Sequence, residues 1–299
     1  MHAKIETIRN PGVPGTLSYN LFYYHRTIKG ILRKHRLIFN GPRYGRDSNF
    51  RFDQPTINRW YELFDVPEDV QVPFTCHDFA RTAALMEIVD DMGVNFKHLL
   101  HLKCELWFHR PLVSEQSYTI DYVFEDVRRI RKDKGAVIGF SAIRQGEDLY
   151  VEVRDHFVVK EVPESDLERL QPDESNQFKE LKNPPVDHLS NSCAKELHIP
   201  TQLSKRYGAT SGDKNIIHTS AWAARFFGYE RPFIQGLCTA NLIIKELCLK
   251  GIDLKYFSII FCRPVYLDST VQLSFTDTDY RLRDEAGSIL CFGQINSKG

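Results

Sequence analysis

The chain has 299 residues, enough for one large or two medium domains with a full core. Its 42% hydrophobic and 26% charged residues exclude a disordered chain, and 39 basic against 39 acidic residues leave no net pull toward nucleic acid or an anionic membrane. Seven cysteines without a CxxC pair, mostly in apolar runs, read as thiols in a reducing compartment, not as disulfides or a metal site. With no secretory apolar core at the start and no run long enough to span a bilayer, a cytoplasmic protein is expected.

Taken in order, the chain opens with a loop at Pro11, Gly12, Pro14 and Gly15. Tyr24, Ile28, Ile31 and Leu32 then recur at helical spacing among His25, Arg26, Lys29, Arg33, Lys34 and Arg36. A solvated helix face is the plain reading of this basic segment, and a phosphate-bearing partner the sharper one. Gly30 argues against an unbroken helix.

A pattern in residues 73 to 160 returns at 232 to 296. Pro73-Phe74 opens an alanine-rich apolar helix ending near Gly93, and Pro232-Phe233 opens the helix Leu237–Leu249, ending near Gly251. Each is followed by a strand closing on a similar phrase, Phe108-His109-Arg110-Pro111 and Phe261-Cys262-Arg263-Pro264. Strands are expected at Tyr118–Glu125, Ala136–Ile143 and Leu149–Val159, then at Val271–Phe275, Tyr280–Leu282 and Ser288–Ile295. One long helix and several antiparallel strands, twice over, predict an α+β chain whose sheet wraps a buried helix in each half. Residues 161–188, rich in Pro, Glu, Asp, Ser and Lys, read as a linker between a unit at 1–160 and one at 189–299.

The halves differ where chemistry is concerned. In the second, Tyr207-Gly-Ala-Thr-Ser-Gly-Asp213-Lys-Asn215-Ile-Ile-His218 sets a carboxylate, an amide and an imidazole within six residues. Together they can hold one water and move its proton, while singly they read as an Asp/Asn cap and a satisfied histidine. A helix is expected over Thr219–Phe227. Gly236 then opens the apolar helix, where free N–H groups and the positive dipole end would polarise a carbonyl. The first half has Asp53, Asn58, Trp60 and Tyr61 without that spacing, and Cys76-His77-Asp78 at its helix start, which reads as a cap.

Gly212-Asp213-x-Asn215-x-Ile217-His218, with Pro232-Phe233-x-x-Gly236 after it, resembles the hydratase-2 motif of the MaoC-like dehydratases, the (R)-specific enoyl-CoA hydratases. The resemblance implies a double hotdog in which the first unit is non-catalytic and shapes an acyl tunnel. It implies Asp213 and His218 as the catalytic pair with Asn215 in support, and the Gly236 N–H as donor to the thioester carbonyl. Tyr207, Ser211, Gln235 and Arg231 stand as substrate-binding candidates. The implied substrate is an acyl-CoA or acyl-carrier-protein thioester, with no metal or cofactor, an internal pseudo-dimer and room for a homodimer. Ile216 replaces the family's usual proline and Gln235 its common histidine. A thioesterase and a non-catalytic acyl-thioester binding module remain the alternatives.

Overall fold

The computed structural model describes residues 6–7, 17–51, 53–67, 69–75, 82, 85–86, 89–131, 133–172 and 193–296. Within them, strands β1 (Glu6–Thr7), β2 (Arg43–Phe50), β3 (Leu99–Phe108), β4 (Tyr118–Arg131), β5 (Lys134–Gln145), β6 (Asp148–Lys160) and β7 (Gln171–Pro172) belong to the first half. The second half supplies β8 (Cys193–Ile199), β9 (Tyr256–Phe261), β10 (Ser269–Phe275), β11 (Asp279–Asp284) and β12 (Ile289–Asn296).

All twelve join one sheet in the order β1-β2-β4-β5-β6-β3-β9-β12-β11-β10-β8, with β7 added beside β4. Leaving aside the two-residue strands β1 and β7, each half counted outward from the seam runs second strand, fifth, fourth, third, first: the same topology twice. The seam is the antiparallel pair β3–β9, in register from Lys103 opposite Ile260 to Trp107 opposite Tyr256. The repeat seen in the sequence is therefore a repeat of topology, and its second strands join the halves into one sheet. The six expected strands appear, five with longer ends and the last shifted by one residue, because strands that alternate or run apolar are locally legible. The expectations missed β2 and β8, whose sequences (RYGRDSNF and CAKELHI) carry charge where alternation is sought.

Helix α1 (Leu17–Leu32) comes first, unbroken through Gly30, where a Cβ would lie 2.6 Å from the Phe96 ring. Its expected apolar face is turned the wrong way. Tyr24, Ile28 and Leu32 are exposed, and Tyr19 and Tyr23 are buried instead. Its basic residues are used within the chain: Arg26 (2.6 Å), Lys29 (2.7 Å) and Arg33 all meet the Asp90 carboxylate. His25, Lys29 and Lys34 remain exposed, as a solvated face would be. Helix α2 (Gln54–Phe64) is capped by Asp53, which accepts the Thr56 N–H at 2.8 Å, so the first half's aspartate is a helix cap.

The expected linker begins with a short helix, α3 (Glu164–Leu167), whose buried Asp166 takes two bonds of 2.7 Å from Arg36. Then follow α4 (Leu203–Ser211), α5 (Ala221–Phe226) and α6 (Gly236–Leu249). Ala240, Ile243, Ile244 and Leu247 of α6 are fully buried. Each Ile or Leu so placed contributes about 1.5–3 kcal/mol. Asn241 on the same helix crosses to the first half, accepting the Thr75 N–H at 3.1 Å and donating to Thr75 Oγ1 at 2.8 Å. Residues 82, 85–86 and 89–91 are helical, while Cys76, His77 and Asp78, expected as a cap, lie outside the described residues. Six cysteines among the described residues are free thiols, of which Cys193 and Cys262 are exposed. No helix among the described residues is long and apolar enough to cross a membrane.

Candidate active site

The site is built on the exit from α4. Gly212 ends that helix at φ 84°, its N–H bonded to the Gly208 carbonyl at 3.1 Å. A Cβ at Gly212 would stand 2.1 Å from Tyr19 Oη, and one at Gly208 would stand 2.7 Å from the Asp213 carbonyl oxygen. The first position needs a left-handed backbone under a phenol, and the second lets helix and loop touch. Beyond Gly212 the chain makes two Asx turns. Asp213 Oδ1 accepts the Asn215 N–H at 3.2 Å, and Asn215 Oδ1 accepts the Ile217 N–H at 3.3 Å. Residues Ile216–His218 then form a single 3₁₀ turn. The expected helix over Thr219–Phe227 starts late because Ser220 caps it, accepting the Ala223 N–H at 3.3 Å.

His218 is buried, with its ring edge-on to Phe233 at 4.8 Å. Its Nδ1 lies 2.9 Å from the Phe233 carbonyl oxygen. A carbonyl only accepts, so Nδ1 carries the hydrogen and the neutral ring keeps its lone pair on Nε2. Burial pushes the imidazole below its usual 6.5, against the opposing pull of the Asp213 charge and the Phe233 bond. Both the bond at Nδ1 and the burial favour the neutral imidazole.

Asp213, Asn215, His218, Tyr207, Ser211 and Gly236 all line one cavity of about 510 Å³ that runs between the two halves. Gly236 is the first residue of α6, so its N–H has no partner within that helix, and it sits against the Phe261 ring. Tyr207 is buried against Trp60 of α2, ring centroids 5.5 Å apart. Ser211 Oγ accepts the Asp213 N–H at 3.3 Å.

Two substrate-binding candidates sit elsewhere. Gln235 is buried behind the loop, donating through Nε2 to the Asp213 carbonyl at 3.0 Å and the Ser204 carbonyl at 3.2 Å. It is absent from the cavity wall and fixes the loop from behind. Arg231 lies over the Tyr266 ring at 5.1 Å and donates to the Leu267 carbonyl, also away from the cavity. Ile216, in the place of the usual proline, is 43% exposed, and the two Asx turns and Gln235 hold the loop without it.

Sequence reasoning missed the contribution of α1. Tyr23 Oη donates to Asp213 Oδ1 at 3.2 Å, Tyr19 covers Gly212, and Lys214 Nζ donates to Asn20 Oδ1 at 2.5 Å. Burial, then the neighbouring Asp213 charge, raises the Tyr23 phenol well above its usual range, so it acts as a donor. The only local signal was two tyrosines four apart on a helix.

The first half adds its own polar groups to the same cavity. His101 Nε2 lies 2.9 Å from Asp155 Oδ1, and Ser141 opens onto the space nearby in the sheet. With Cys104 the pair forms a group of three ligand atoms within 4.8 Å of one another, close enough to share a metal ion.

A MaoC like domain model matches residues 188–289. The 3-hydroxyacyl-thioester dehydratase X of Mycobacterium tuberculosis is 25% identical over 213 residues, covering 70% of this chain and 71% of that protein. The crystal structure of HtdX from the same organism superposes with a TM-score of 0.67 at 19% identity, over 86% of this chain and all of that one. A MaoC-like dehydratase from Phytophthora capsici matches at 0.62 and 12% identity, over 91% of this chain and 97% of its own. With the motif, the repeated topology and these relatives in agreement, the chain carries a MaoC-like dehydratase domain in the second half of a double hotdog.

Proposed function

We propose that this chain is a hydro-lyase that interconverts trans-2-enoyl and (R)-3-hydroxyacyl thioesters of CoA or a carrier protein. The observation that carries the reading is the arrangement of Asp213 and His218 on one cavity with the glycine-led start of α6. A thioester carbonyl set on the Gly236 N–H becomes electron-poor at its β-carbon, and the helix dipole stabilises the enolate that follows. Water between Asp213 and the Nε2 of His218 loses a proton to the pair as its oxygen bonds the β-carbon. The same pair returns a proton to the α-carbon on the same face. The two groups are coupled, so the proton belongs to the pair and not to one residue. Dehydration is the reverse path.

In this reading residues 1–160 form the non-catalytic unit, 161–188 the connector and 189–299 the catalytic unit. The halves act as an internal pair, working in the cytoplasm without a bound cofactor. Asn215 holds the loop, Tyr207 and Ser211 shape the wall beside the substrate, and Gln235 and Arg231 support the backbone around them.

The test is to add enoyl-CoAs of several lengths, follow loss of the conjugated double bond, and resolve the product on a chiral column. An (R) product is expected. An (S) product would overturn the assigned face, and no hydration at any length would favour a binding module.

A further inference from the structure

A cavity meant for a plain hydrocarbon tail should be lined by apolar side chains, and much of this one is: Leu85, Met86, Phe96, Phe124, Phe157 and Phe261 all face it. The sheet of the first half nevertheless sends His101, Ser141 and Asp155 into the same space. Strand register accounts for their company. Asp155 on β6 stands opposite Gly139 on β5, and Ser141 is two residues along, on the same face. His101 reaches Asp155 from β3, with its ring stacked on Phe157 at 4.6 Å and tilted against Phe261 at 5.2 Å. Ser141 is buried, and its hydroxyl has no hydrogen-bond partner among the described residues. An alanine there would avoid the cost of a buried, unanswered hydroxyl.

These groups are not part of the chemistry proposed above, yet they are close to it. The Phe261 ring that touches His101 also lies against Gly236, where a Cβ would be 3.0 Å from its Cζ. One phenyl ring therefore separates the carbonyl donor from the His101–Asp155 pair. An acyl chain whose carbonyl rests on Gly236 would bring a carbon beyond its β-position to this pair.

We propose that His101, Asp155 and Ser141 form a hydrogen-bonding subsite for a hydroxyl group on the acyl chain, so that the preferred substrates are hydroxylated acyl thioesters. His101 Nε2 lies 2.9 Å from Asp155 Oδ1 without a well-aligned hydrogen bond, so the imidazole can bond a hydroxyl as donor or acceptor according to its tautomer. Ser141 can donate to the hydroxyl oxygen. A hydroxyl, both donor and acceptor, answers both groups, whereas a methylene in its place leaves them unpaired. This proposal rests on the dehydratase reading. A site that hydrogen-bonds a substrate hydroxyl discriminates strongly against the chain that lacks it.

The experiment compares kcat/KM for trans-2-enoyl-CoAs of equal length, plain or carrying a hydroxyl at successive positions from the δ-carbon to the chain end. The full-length chain and its His101→Phe and Ser141→Ala variants are assayed side by side. The same chains as N-acetylcysteamine thioesters, which lack most of the pantetheine arm, form a second arm. Calorimetric binding of saturated acyl-CoAs, plain and hydroxylated, forms a third arm that needs no turnover. At least a tenfold preference for one hydroxyl position is expected in rate and in affinity. The preference should persist on the truncated thioesters, and its ratio should collapse toward one in each variant.

No preference at any position would overturn the proposal, as would equal losses on plain and hydroxylated chains. A preference tied to the pantetheine arm would assign the subsite to pantetheine instead. One equivalent of zinc, retained by the wild-type chain and lost in His101→Phe, would assign it with Cys104 to a metal. Failure to hydrate any chain would count against the dehydratase reading, while the calorimetric arm would still decide the hydroxyl subsite.

Discussion

Tyr23 and Asp213 are 190 residues apart in the chain, and their side chains meet at 3.2 Å, phenol donating to carboxylate. The bond fixes the Asp213 oxygen that also accepts the Asn215 N–H, and among the described residues Oδ2 has no hydrogen-bond partner. Hydrogen bonds to charged groups contribute about 1.5–3 kcal/mol. Tyr23→Phe keeps the ring and removes the donor, so kcat should fall by roughly ten- to a hundredfold with a small change in KM. Steady-state kinetics beside a melting curve checks this. A variant that melts much earlier but turns over normally would make Tyr23 a packing residue only.

Asp213→Asn preserves shape without the acceptor charge, and His218→Ala removes the proton carrier. Each should abolish turnover with near-normal melting. The double variant should be little worse than either single one, because groups acting as a unit do not add. Near-additive losses would show that the two act separately.

Gly236→Pro removes the N–H at the first helical position, where proline is otherwise tolerated, and should cost a hundredfold or more in rate. Gly236→Ala keeps the N–H but drives a methyl into Phe261, 3.0 Å away. Phe261→Leu should therefore rescue the alanine variant and leave the proline variant inactive. Rescue of both would move the carbonyl's donor elsewhere.

The pH response follows from His218. Its folded value lies below 6.5, the ordinary value it regains on unfolding. The unfolded chain thus binds the extra proton first, and stability from this group, complete above pH 6.5, is lost as pH falls toward the folded value. His218→Gln should flatten that part of the melting-temperature profile. In the native enzyme the acid limb of kcat/KM should fall below pH 6.5, and a limb above it would contradict a buried neutral base.

A fragment starting near Glu161 would lack both Tyr23 and the β3 partner of β9. It is expected to be insoluble or inactive, because β9 would present an open edge and the cavity would lose one wall. A soluble fragment with full activity would show the halves to be independent.

Local pattern carried much of this fold. Ile243, Ile244 and Leu247 announce a buried helix, and the alternation of Val271, Leu273 and Phe275 announces a strand, because burial and periodicity coincide there. The same logic misjudged α1. Ile28 and Leu32 outrank Tyr19 and Tyr23 in hydrophobicity, but Tyr23 has Asp213 to bond to and Tyr19 packs over Gly212, while the aliphatic residues stay exposed. Candidates next to one another in sequence also parted: Gly236 faces the cavity while Gln235 turns back to the Asp213 carbonyl. Which way a side chain points at a helix start depends on the neighbouring segment, and no periodicity records that.

The seam has a consequence for how the protein is made. β3 leaves the ribosome with the first half, but its partner β9 begins only at Tyr256. At about 5–20 residues per second, translation leaves that edge unpaired for on the order of ten seconds. During this interval β3 is a template for any extended strand, including another nascent copy. Lys103 and Glu105 sit on it, paired with each other at 2.9 Å, and charge on an open strand is what discourages such pairing. Residues that become part of a quiet internal seam in the finished molecule are, while it is being synthesised, a guard against aggregation.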